Sequence, residues 1–148
     1  MLSACAVRLK DRWLVHPELK SVSGLLISRG PFNSLPTDAD PATLGGVVRS
    51  ALLRAEGTIP NPTDWKAISA PRLAAAGVKS ESAFQRQSKL IRISANASTI
   101  ELTPTWNGGA SGDDKGFHQL EEVALFVASN CTDIELGEAV YEALSVCF

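Results

Sequence analysis

Nucleophilic catalysis requires a serine or cysteine beside a base, with a third group to orient that base. The chain offers Cys5, Cys131 and Cys147, and only two histidines, His16 and His118. No Gly-x-Ser-x-Gly elbow occurs, and no spacing couples a cysteine to a histidine. A zinc site needs about four ligands at defined intervals, and a calcium loop needs alternating oxygen donors closed by an acid. Asp113 and Asp114 supply two adjacent carboxylates and nothing more. The glycine-rich run from Gly109 to Gly116 lacks the Gly-Lys-Ser/Thr ending of a phosphate loop, and its two acids would repel phosphate. No catalytic residue, no metal and no cofactor is therefore expected. A small enzyme built on Cys131 or His118 and a general protein-binding adaptor are the alternatives.

Charge gives a better lead than nucleophiles do. The formal net charge is −2. Up to Arg92 there are thirteen Lys or Arg against seven Asp or Glu, a net +6; beyond it stand one lysine and nine acids, a net −8. A segment of that sign repels phosphate and attracts cationic surfaces, so nucleic acid is not expected as its partner. Trp106 stands just before the acidic glycine run, where an exposed tryptophan can anchor an interface. Trp106, Asp113, Asp114, His118, Glu121 and Glu122 are thus the candidate binding residues. Their expected partner is a basic protein surface.

These residues must be positioned by an ordinary globular chain. Its 148 residues, 45% hydrophobic and 20% charged, suit one domain over residues 1–148 with a sizeable core. No apolar stretch approaches the roughly 20 residues that span a bilayer, and Arg8, Lys10 and Arg12 interrupt any secretory core at the start. Three unpaired-looking cysteines fit a reduced, cytoplasmic setting with no membrane partner.

Trp13 to Val15 and Val22 to Ile27 read as short strands. Asp40 before Pro41 starts a helix, since the carboxylate can accept from free first-turn amides and proline needs no amide partner there. Leu44, Val47, Val48, Ala51, Leu52 and Ala55 then fall on one face, with Gly57 as the stop. Trp65 should pack onto the linker of Pro60 and Pro62. Residues 70–88 should form two short helical turns around Gly77, Ser80 capping the run from Glu81 to Gln87. Residues 89–103 alternate as a β-hairpin about Asn96, 107–116 should be a flexible loop, and Val123 to Val127 a strand. Thr132 and Glu135 make a capping box for a last helix over 133–147.

The two long helices share the frame Leu-Gly-x-[Val/Ala]-Val-x-x-Ala-Leu, from Leu44 to Leu52 and from Leu136 to Leu144. Each follows a Phe-x-x-Leu segment, Phe32 to Leu35 and Phe117 to Leu120, which suggests a repeated strand–loop–helix unit. The frame reads as a packing feature without chemistry. The fold expected is α+β, a mainly antiparallel sheet packed by two amphipathic helices.

The run Pro60-Asn61-Pro62-Thr63-Asp64-Trp65 comes first. Gly77 to Ser80 with Phe84, the strand ending Ile100 to Pro104, Gly116-Phe117 and the closing Leu136-Gly137 helix follow it in order. Together this set resembles the immunity proteins of bacterial contact-dependent growth inhibition, the CdiI type, over roughly residues 30–148. The resemblance implies a cytoplasmic, non-catalytic protein that binds the toxic C-terminal domain of a cognate CdiA effector. Toxins met by similar proteins are often nucleases acting on RNA, with basic substrate-binding surfaces. No contact residue transfers by motif, so the candidate residues rest on charge and expected exposure.

Overall fold

Strand β1 (Leu2–Arg8) and strand β2 (Trp13–Ser21) form a hairpin whose side chains alternate between two buried faces. The computed structural model describes residues 1–148. Ala4, Ala6, Trp13 and Val15 point to one face, Cys5, Val7 and Leu14 to the other. Strand β6 (Lys89–Ala95) pairs with the far side of β1, and β7 (Thr99–Asn107) pairs with β6, all antiparallel. Short strands β3 (Leu26–Ser28), β4 (Asn33–Leu35) and β5 (Thr58–Ile59) attach to β2, the last in parallel. At the opposite side β8 (Phe117–Gln119) and β9 (Leu125–Ala128) share the outer edge of β7. The result is a mainly antiparallel α+β architecture, as expected.

The larger core lies under helix α1 (Pro41–Leu53) and helix α4 (Asp133–Val146). Asp40 caps the first by accepting from the Thr43 amide at 2.8 Å, and Thr132 with Glu135 closes a capping box on the second. The two helices touch backbone to backbone. A Cβ added to Gly45 would overlap the Asp133 carbonyl, and one added to Gly137 would overlap the Pro41 carbonyl. The shared frame is therefore used identically in both helices, its glycine allowing the close crossing. The units around the helices differ, however, because β4 leads into α1 whereas β8 is separated from α4 by β9.

The second face carries two further helices, α2 (Trp65–Ala76) and α3 (Glu81–Gln87), whose Ala76 and Phe84 complete the smaller core. Here the sequence expectations need correction. Trp65 does not cover the linker; Asp64 caps a helix at that point, and Trp65 is its 53% exposed first residue. The segment from Val22 to Leu25 is a tight turn, not a strand, because Gly24 takes φ +92° and the Ser21 amide donates to the Leu25 carbonyl. Helix α1 stops at Leu53, before Gly57. Residues 121–123 form a 3-10 turn, which delays the expected strand to Leu125.

Candidate functional site

Trp106 and His118 are cross-strand partners on β7 and β8, and their rings lie 4.9 Å apart at 31°. Phe148 sits beyond, its ring 6.3 Å from that of Trp106. The Phe148 amide donates to the Thr105 carbonyl, which extends the edge of β7 by one residue. Asn107, the residue after Trp106, donates to the Gln85 and Ser88 carbonyls and accepts from the Gly109 amide. One side chain thus ties α3 to the start of the acidic loop.

That loop folds back on itself. The Gly108 amide donates to Gly116 at 2.8 Å and the Gly116 amide to Gly109 at 3.0 Å. His118 Nε2 lies 2.7 Å from the Asp114 carbonyl oxygen, and no Cβ would fit at Gly108, where that same oxygen lies. Gly109, Gly112 and Gly116 hold φ values of +93°, +90° and +97°, a conformation L side chains resist. The segment expected as flexible is closed by backbone hydrogen bonds, and it displays its acids outward.

Asp113, Asp114, His118, Glu121 and Glu122 are all exposed, and Trp106 is half-buried. Trp106, Asp114 and His118 are brought into contact. Asp113 is presented by the same loop, while Glu121 and Glu122 stand at the other end of β8, in the turn between β8 and β9. The six candidates therefore line one outer edge of the sheet, with Lys115 as the cation among them. Such an edge can make long-range electrostatic contact with a cationic surface around a flat aromatic centre.

A second constellation escaped sequence reasoning. Cys5 faces His16 on one neighbouring strand and Arg92 on the other. Glu18 accepts from both terminal nitrogens of Arg92, at 2.9 and 3.3 Å. Arg72 pairs with Glu81 beside them, its guanidinium 4.4 Å from the Phe84 ring, and the group borders a cavity of about 290 Å³. Its only signal in the sequence is polar residues recurring at strand period 2 among apolar ones. Burial pushes the Cys5 thiol well up, with Glu18 adding to the effect, and burial pulls the His16 imidazole down. Both groups are held neutral, the opposite of the thiolate and imidazolium a cysteine nucleophile needs. Cys131 is instead tied by its carbonyl and sulfur to Arg49, and His118 to Asp114. No three His, Cys, Asp or Glu side chains gather into a metal-binding group.

A family model described as CDI immunity protein, CdiI, matches residues 3–147. The chain belongs to the CdiI family. Membership reaches back past the resemblance noted over residues 30–148 and takes in β1 and β2. No curated protein matches the chain. Among solved structures, this CdiI chain is similar to a chain of the CdiA-CT/CdiI toxin and immunity complex from Yersinia pseudotuberculosis. The TM-score is 0.77 at 17% identity, covering 99% of this chain and 97% of the other. It is also similar to a protein of unknown function from Neisseria meningitidis, with TM-score 0.76, 16% identity and coverage of 99% and 95%. At such identities the likeness establishes a shared fold. No helix of this family member is long and apolar enough to cross a membrane.

Proposed function

We propose that the chain neutralises the C-terminal toxin domain of a cognate CdiA effector by binding it one to one in the cytoplasm of the cell that receives it, with no catalysis of its own. Family membership over residues 3–147 is the observation that carries this reading. The Yersinia pseudotuberculosis complex, a toxin bound to its immunity protein on the same fold, supports it. The toxin is a basic protein, a nuclease acting on RNA, and it meets Trp106, Asp113, Asp114, His118, Glu121 and Glu122. The acids occupy the groove meant for phosphates, giving fast capture that weakens with salt.

Co-expression with the C-terminal toxin domain of a cognate CdiA effector tests the reading. Growth should be restored by the wild-type chain, and a failure to protect overturns the proposal. Replacing Asp113, Asp114, Glu121 and Glu122 together by Ala should slow association about tenfold at low salt and flatten its salt dependence. Unchanged kinetics at every salt concentration would remove this edge from the interface while leaving immunity itself intact.

A further inference from the structure

The cations of the N-terminal portion are not spread as a neutralising counterpart to the acidic edge. Arg8 and Lys89 are directly opposed on β1 and β6, an arrangement that costs stability in a sheet. Lys10 and Arg86 join them around one open cavity of about 460 Å³, lined also by Leu9, Gln87 and Leu144 and by no acid. None of the four cations takes part in an ion pair. Arg8 is held with its guanidinium carbon 5.8 Å from the Trp13 ring centroid, and its Nε is sealed from solvent without a hydrogen-bond partner.

Helix termini do not account for this concentration. The cavity receives Arg86 and Gln87 from the end of α3 and Leu144 from the last turn of α4. Each helix C-terminus is worth about half a negative charge, so two leave roughly three positive charges uncompensated. A single carboxylate would neutralise one of them. A phosphate ester or diphosphate carries two or more charges and several acceptor oxygens, and the planar forks of two arginines suit it.

The geometry points to a binding site for a small phosphate-bearing ligand at Arg8, Lys10, Arg86 and Lys89. The site is one concavity, not a stripe along the surface, which fits a compact phosphate group and not a tracked nucleic-acid backbone. It stands apart from the toxin reading, because binding is measured on the chain alone.

Pyrophosphate titrated into the free protein, with sodium chloride added to keep ionic strength constant, tests the site by amide chemical shifts. Shifts should concentrate at residues 8–10 and 86–89, and Arg86→Gln with Lys89→Gln should raise the half-saturating concentration about tenfold. Both side chains are exposed, so an unchanged melting temperature of the double variant keeps the comparison clean. Lys66→Gln with Lys79→Gln, on α2 and before α3, should leave binding as it was. Absence of local shifts, or equal affinity in the Arg86/Lys89 variant, overturns the proposal. So does citrate binding as tightly as pyrophosphate, which would make the site a general anion patch. Tighter binding of a single-stranded oligouridylate at the same residues would assign it to nucleic acid and overturn the small-ligand reading.

Discussion

Gly45 and Gly137 make reciprocal contacts: each lies against the carbonyl of the first residue of the other's helix, Asp133 for Gly45 and Pro41 for Gly137. The relation is two-fold and it sets how closely α1 and α4 can cross above the sheet. A side chain at either position would push the helices apart and open the core beneath them.

Gly45→Ala or Gly137→Ala should therefore destabilise the fold by about 2–3 kcal/mol. In thermal denaturation that is roughly 4–12 °C for a chain of this size. The loss should appear although alanine favours a helix over glycine by up to about 1 kcal/mol. Gly46→Ala is the contrast, since its Cβ would stand 3.3 Å from Asp133 Oδ2, an exposed side-chain atom that can yield. It should be neutral or slightly stabilising. Equal losses at all three glycines would show that the reciprocal crossing does not set the helix spacing.

The ion pair on the other face makes a different claim. Glu18 is 4% exposed while Arg92 is 33% exposed, so removing the carboxylate strands a cation that water only partly reaches. Glu18→Gln should cost about 2 kcal/mol, less than for a fully buried pair because solvent screens Arg92. Replacing both Glu18 and Arg92 by Leu should recover most of that loss, since no unpaired charge then remains. Urea unfolding of the three variants measures it, and a double variant no better than the single one would refute the argument.

Burial also gives His16 a pH signature. Its imidazole is held below its ordinary value of about 6.5, chiefly by desolvation, against smaller opposing effects from the Pro17 carbonyl and Glu18. The unfolded chain therefore takes up a proton that the folded chain refuses. The stability linked to His16 is fully present above about pH 6.5 and is lost as pH falls toward the lower folded value. Asp40 and Glu135, both lowered by hydrogen bonds at helix N-termini, lose their contribution only below the ordinary carboxylate range of about 4. His16→Gln should flatten the stability profile just below about pH 6.5 and leave the more acidic fall in place.

What the sequence revealed divides along a physical line. Local chemistry was legible: the cap at Asp40, the capping box at Thr132, the start of α3 at Ser80 and the hairpin about Asn96 each depend on neighbours a few residues away. The candidate edge was partly legible for the same reason, since Asp113 to Glu122 are close along the chain. Contacts set by strand order were not. Nothing local says that Cys5 meets Arg92, or that Arg8 and Lys89 share one cavity, because both pairings require β6 to return beside β1. The closure of the acidic loop comes from backbone hydrogen bonds between Gly108, Gly109 and Gly116, which composition alone cannot signal.

The cysteines supply the last prediction. Cys5 and Cys147 are buried and their thiols are pushed up, in both cases mainly by desolvation. Cys131 is only partly covered, in the short connection that Arg49 ties to α1. At pH 8 a thiol reagent should modify one site rapidly in the folded chain and all three after denaturation. Cys131→Ser should abolish the rapid phase. The modified protein should still protect cells if the acidic edge makes the interface, because Cys131 lies between β9 and α4, outside the run from Trp106 to Glu122. Loss of protection on modification, with the melting temperature unchanged, would move the interface toward the α1–α4 junction.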